Sequence, residues 1–182
     1  TNLTALATGG MSGTPFGHGD FFDNSAAYVS PSFGGVTFGL TYGFDDVNVV
    51  NASGGSTADD GDYSAAIEWK GLGGDLHLVA ARSEDQNNAL GATGNNRALN
   101  KVGAKFNFLK DYSIIGQYET IDNDAKTLDQ TIQFLGFNAK IGNVLAALHW
   151  GKTKDDITHN DTDYLAIGAW YNFSKTFMVL GG

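Results

Sequence analysis

Apolar and polar side chains alternate with a period of two along most of this chain. Val36, Phe38, Leu40 and Tyr42 alternate with Thr37, Gly39, Thr41 and Gly43. Tyr63, Ala65, Ile67 and Trp69 alternate with Ser64, Ala66, Glu68 and Lys70, and Val102, Ala104, Phe106 and Phe108 with Lys101, Gly103, Lys105 and Asn107. Successive side chains of an extended chain point to opposite faces, so each stretch reads as a strand with one apolar and one polar or small face. A one-residue slip would put every apolar group on the wrong side. From Ser25 onward ten such segments follow one another. Two are less clean. In 143–152, Val144, Ala146, Leu148 and Trp150 alternate with the weakly polar Leu145, Ala147 and His149; in 131–139 the apolar face switches from Ile132 and Phe134 to Leu135, Phe137 and Ala139. A bulge, or packing against another subunit, is the expected reason for that switch.

The connections between segments alternate in length. Short ones are predicted at 31–35, 71–74, 109–111, 140–142 and 174–175, and long ones over 44–61, 84–98, 121–130 and 153–162. Charge follows the same division. Asp45, Asp46, Asp59, Asp60, Asp122, Asp124, Asp155, Asp156 and Asp161 fall in the long connections, whereas Lys110, Lys140 and Lys175 fall in the short ones. Short turns on one side and long polar loops on the other are the layout of a transmembrane β-barrel. Tyr42, Tyr63, Trp69, Phe108, Tyr112, Trp150, Tyr164, Tyr171 and Phe173 lie near segment ends, where a barrel carries its two aromatic girdles.

Composition agrees. Glycine is 25 of 182 residues, proline 2 and aromatics 12%, with no cysteine. No apolar run approaches the ~18 residues of a membrane-spanning helix, but barrel strands average to neutral hydropathy and escape that criterion. The absence of cysteine suits a chain that crosses an oxidising compartment. The chain opens on Thr1 without a basic and apolar leader, so any signal peptide is expected to lie outside it. A net charge of −9, from 20 acids against 11 bases, argues against binding nucleic acid through its phosphates.

Enzymatic readings find little support. His18, His77, His149 and His159 have no metal-ligand spacing, and no Gly-x-Ser-x-Gly elbow occurs. The acid pairs Asp59-Asp60 and Asp155-Asp156 lie in loops, with no apolar surroundings to separate their pKa values. No cofactor is implied.

Two blocks carry a more specific signal. Asn24, Ser25, Tyr28, Ser30, Pro31, Phe33 and Gly35 form an Asn-Ser-x-x-Tyr-x-Ser-Pro-x-Phe-x-Gly string, and Ile167 to Thr176 reads Ile-Gly-Ala-Trp-Tyr-Asn-Phe-Ser-Lys-Thr. Both resemble blocks of the trimeric general porins of Gram-negative outer membranes. The resemblance implies an all-β, antiparallel transmembrane barrel of sixteen strands, of which about ten, the sixth to the fifteenth, are present here. The chain would then lack about five strands at the front and the last at the back. It also implies localisation in the bacterial outer membrane, a homotrimer, and passive diffusion of ions and small hydrophilic solutes. Residues 1–22 resemble the pore-constriction loop, with 23–182 as the partial barrel. Asp20 and Asp23 are then candidate pore acids at the loop's end. Glu68, His77, Lys101, Lys105, Gln117 and Glu119 are candidate pore-lining residues of the wall. Family members often carry arginines before and within the Asn-Ser-x-x-Tyr strand, where this chain has Phe22 and Ala27. With acidic loops at the mouth, a weak cation preference is expected. The same loop carboxylates would meet outer-membrane lipid and lipopolysaccharide through divalent cations.

Three other readings stand beside this one. A complete ten-stranded barrel has an allowed, even strand number. An outer-membrane phospholipase or protease barrel would share the layout. A soluble or surface-exposed β-sandwich binding module would also alternate, but would pack two sheets on one core.

Overall fold

The structure, a computed structural model, describes residues 25–44, 62–85, 96–172 and 178–181. These form ten strands: β1 (Ser25–Val29), β2 (Val36–Gly43), β3 (Tyr63–Gly71), β4 (Leu76–Asp85), β5 (Arg97–Phe108), β6 (Tyr112–Asn123), β7 (Asp129–Ile141), β8 (Val144–Asp155), β9 (Thr162–Asn172) and β10 (Met178–Gly181). Each pairs antiparallel with its neighbours in chain order, giving one up-and-down sheet. Among the described residues there is no second sheet, so the sandwich expectation lacks the partner layer it needs.

The tightest connection belongs to the Ser-Pro-Ser-Phe-Gly-Gly block. Gly34 and Gly35 both have positive φ, 60° and 86°, while Phe33 and Val36 exchange backbone hydrogen bonds of 2.8 and 2.9 Å. A two-residue turn of this kind matches the twist of the strands it joins and needs left-handed backbone at both central positions. Gly35 is constrained a second time. Its carbonyl accepts the Lys70 amide at 2.9 Å, and a Cβ there would stand 2.3 Å from the Lys70 carbonyl oxygen.

The connections after β4, β6 and β8 are shorter than the sequence suggests, because the strands run further. The β6 to β7 connection spans only 124–128, since pairing continues to Asp122 opposite Asp129. Asn123 closes it. Its Oδ1 accepts the amides of Thr127 at 2.9 Å and Leu128 at 3.0 Å, and its Nδ2 donates to Thr127 Oγ1 at 2.8 Å.

Strand β7 corrects an expectation. It pairs residue for residue with β6 and with β8 along its length, with no bulge. Leu135 and Phe137 lie on the outer, exposed face; Ile132 and Phe134 are buried on the inner one. The switch therefore records a strand apolar on both faces, not a change of face.

Outward, the sheet presents Phe38, Leu40, Ile67, Val102, Ile114, Leu135, Leu148, Leu165 and Ile167, all exposed, with Ile167 at 75%. Aromatics border this band. At the short-turn end Phe108 stacks on Phe106 and Tyr112, ring centroids 6.0 and 5.7 Å apart, and Tyr112 on Phe137 at 6.2 Å. At the long-loop end of β2, Tyr42 meets Phe44 edge to face at 5.2 Å. Tyr63 and Trp69 are six positions apart on β3, about 20 Å of extended chain. Tyr164 departs from the expected girdle: it lies opposite Gly151 and takes the inner register, since Trp150 and Leu165 share the outer one. Phe173 lies outside the described residues.

The strands are also staggered. One row of paired residues runs Trp69, Leu78, Ala104, Gly116, Leu135, Trp150. Trp69 is two residues from the short-turn end of β3, and Trp150 is six from that end of β8. Such drift is the register stagger that accompanies strands tilted about a barrel axis.

Candidate functional site: the inner wall

The inner face of β3 to β6 is built from the residues that alternate with the outer apolar band. Glu68, His77, Lys101, Lys105, Gln117 and Glu119 all take this face, so six of the predicted wall residues are gathered on four adjacent strands. Asp20 and Asp23 lie outside the described residues.

Ion-paired groups of described residues form there. Lys101 and Glu119 are cross-strand partners, with Nζ 3.1 Å from Oε2. Gln117 donates its Nε2 hydrogen to the same oxygen at 3.2 Å. Lys101 is 1% exposed and Glu119 0%. A buried charge is tolerated only with a close partner and further hydrogen bonds, which this trio supplies to Glu119. In the second group Glu68 Oε1 lies 3.0 Å from His77 Nε2 and 3.3 Å from Lys70 Nζ. Glu68 itself is 1% exposed, whereas the Lys70 side chain remains about one third exposed.

Lys70 was not among the predicted wall residues, although its spacing of two from Glu68 puts it on the same face. Arg97, opposite Asn123, is another inner-register base missed in this way. Nearer the short turns a hydrogen-bonded network continues the wall. His149 Nε2 lies 3.2 Å from Asn138 Oδ1, and Asn138 Nδ2 donates to Ser113 Oγ at 3.3 Å. Phe134 meets the His149 ring edge to face at 5.3 Å. Gly136 makes room for that contact: a Cβ there would lie 3.1 Å from His149 Cδ2 and 3.2 Å from the Phe134 ring. Ala27 pairs with Thr41 and shares its inner register, so the family's frequent arginine position on this strand holds no base.

The arrangement presents fixed charges and hydrogen-bonding groups along a wall. Among the described residues, no three His, Cys, Asp or Glu side chains gather as a metal set.

The family model described as Gram-negative porin matches the chain over residues 1–182. No curated protein matches it. Among solved structures, the anion-selective porin from Comamonas acidovorans superposes with a TM-score of 0.72 at 21% identity, covering 84% of this chain and 45% of that one. This chain thus spans about half the length of that porin, and the likeness is one of fold. With an all-antiparallel sheet, an apolar outer face and a charged inner one, the chain belongs to the Gram-negative porin family.

Proposed function

We propose that this chain forms much of the wall of a water-filled outer-membrane channel through which ions and small hydrophilic solutes diffuse passively. The observation that carries this reading is the two-faced sheet. Apolar groups as large as Ile167 and Leu165 stand exposed on the outer face, while Glu68, Lys101 and Glu119 are withdrawn on the inner one. That is the inverse of a water-soluble sheet and suits lipid outside and a polar lumen inside. In this reading residues 1–22 form the constriction loop, Asp20 and Asp23 face the lumen at its end, 23–182 contribute ten of sixteen strands, and the protein is a homotrimer. The remaining strands pair with the edges at β1 and β10, because unpaired backbone groups in lipid cost several kcal/mol each. No covalent chemistry is assigned to the site.

The finer question is selectivity. Acidic loops favoured a weak cation preference, but the wall opposes it. On the inner register of β3 to β6, Lys70, Arg97, Lys101 and Lys105 outnumber Glu68, Glu119 and the strand-end Asp85. Wall charges act on a passing ion at close range, whereas loop carboxylates in open solvent are screened beyond about 8 Å at physiological salt. We therefore assign a weak anion preference. Lipopolysaccharide, bridged by divalent cations to the loop carboxylates, remains the proposed outer partner.

Planar-bilayer recording of the full-length parent protein tests this reading. Openings in steps of three, with a reversal potential of anion sign in a salt gradient, are expected. A cation-sign potential would discard the wall argument, and a correctly inserted protein that passes no current would discard the channel.

A further inference from the structure

Three nitrogen-bearing side chains share one cross-strand row close to the short-turn ends of their strands. Lys70 on β3 lies opposite His77 on β4, and His77 lies opposite Lys105 on β5. All three take the inner register. Among the described residues, Glu68 is the one carboxylate in ion-pair contact with the row, and it engages Lys70 and His77. Lys105 has no ion pair among the described residues. It is only partly buried, and Lys70 is also reachable by solvent.

We propose that Lys70 and Lys105, on either side of His77, form an oxyanion-binding subsite at the short-turn mouth of the lumen, suited to a compact solute bearing a phosphate or carboxylate group. The inference rests on the channel reading and names a solute class for it. Neighbouring strands lie about 4.8 Å apart, so the backbones of β3 and β5 are roughly 10 Å apart. Two lysine side chains can converge on one anion across that gap. Glu68 holds Lys70 and His77 on their side of the site, while Lys105 is left to supply its charge to the solute. An ammonium donating to an oxyanion makes a stronger hydrogen bond than a neutral pair does. The second group, Lys101 with Glu119, offers no equivalent site, because both of its side chains are fully withdrawn from solvent, whereas that of Lys70 is about one third exposed.

The test uses full-length protein in detergent at pH 6, with inorganic phosphate as probe and the 31P line width as readout, alongside bilayer currents in potassium chloride. Phosphate is expected to broaden saturably. Lys105→Gln should weaken binding about tenfold and Lys70→Gln about threefold, while Lys110→Gln, which removes the same charge from the neighbouring turn, should leave it within about twofold. Heat-modifiable migration confirms that each variant is folded. Equal broadening in wild type and in the Lys70→Gln/Lys105→Gln double variant overturns the subsite and leaves the channel reading untouched. Equal losses in Lys105→Gln and Lys110→Gln also overturn it, since net charge alone would then explain binding. Binding that depends on Lys105 in a protein without current upholds the anion site and discards the channel.

Discussion

Lys101 and Glu119 face each other across β5 and β6 with 3.1 Å between Nζ and Oε2, both side chains withdrawn from solvent. Their charges offset one another, so removing one leaves the other buried without that compensation. Lys101→Met is expected to destabilise the folded barrel by about 3–5 kcal/mol. The double variant Lys101→Met/Glu119→Leu should recover most of the loss. Thermal unfolding in detergent, followed by loss of the folded gel band, measures both; a single variant as stable as wild type would refute the pairing.

Glu68 moderates the basic side of the wall. Glu68→Gln removes its charge from beside His77 and Lys70 and should raise the chloride-to-potassium permeability ratio by about twofold. The reversal potential in a salt gradient reads the direction directly. A shift toward potassium would contradict the wall-charge argument.

Gly34 and Gly35 separate two reasons for glycine in one turn. At Gly34 a Cβ meets nothing within 4 Å, so Gly34→Ala carries only the left-handed backbone cost, about 1–2 kcal/mol. At Gly35 a Cβ also stands 2.3 Å from the Lys70 carbonyl oxygen. Gly35→Ala should therefore cost more than Gly34→Ala in urea unfolding from lipid vesicles, and equal costs would argue against the close approach of β3.

The outer face is tested at Ile67, which is half exposed between Phe38 and Ala80. Ile67→Lys should cost about 2–4 kcal/mol of folding free energy in vesicles if this position lies near the bilayer midplane. Its ion selectivity should stay that of wild type. An unchanged stability would place Ile67 away from lipid.

Asn123 holds the five-residue β6 to β7 connection through three hydrogen bonds. Asn123→Ala should cost about 1–2 kcal/mol and increase protease cleavage within 124–128 on intact cells. Cleavage at the wild-type rate would mean that the turn is held by other contacts.

The strands and their faces are legible in the sequence wherever one face is apolar and the other polar, as at Val36 to Gly43. Strand β7 was misread because Ile132 and Phe134 give its inner face the same apolar character as Leu135 and Phe137 give the outer one; without contrast between faces, periodicity carries no sign. Tyr164 was misread because an aromatic residue near a strand end does not state which face it takes. Lys70 was legible by its spacing from Glu68, but only the ion pair made it part of the site.

Period-two patterning and the Gly-Gly turn determine this protein's strands, its apolar outer face and its hairpin at Phe33, since these depend on residues adjacent in the chain. The tertiary structure alone decided the stagger that brings Trp69 and Trp150 into one row, and with it which wall residues meet: Lys101 with Glu119, and Lys70, His77 and Lys105 side by side. Register between strands is an energetic compromise among all the cross-strand pairs at once, and no single segment encodes it.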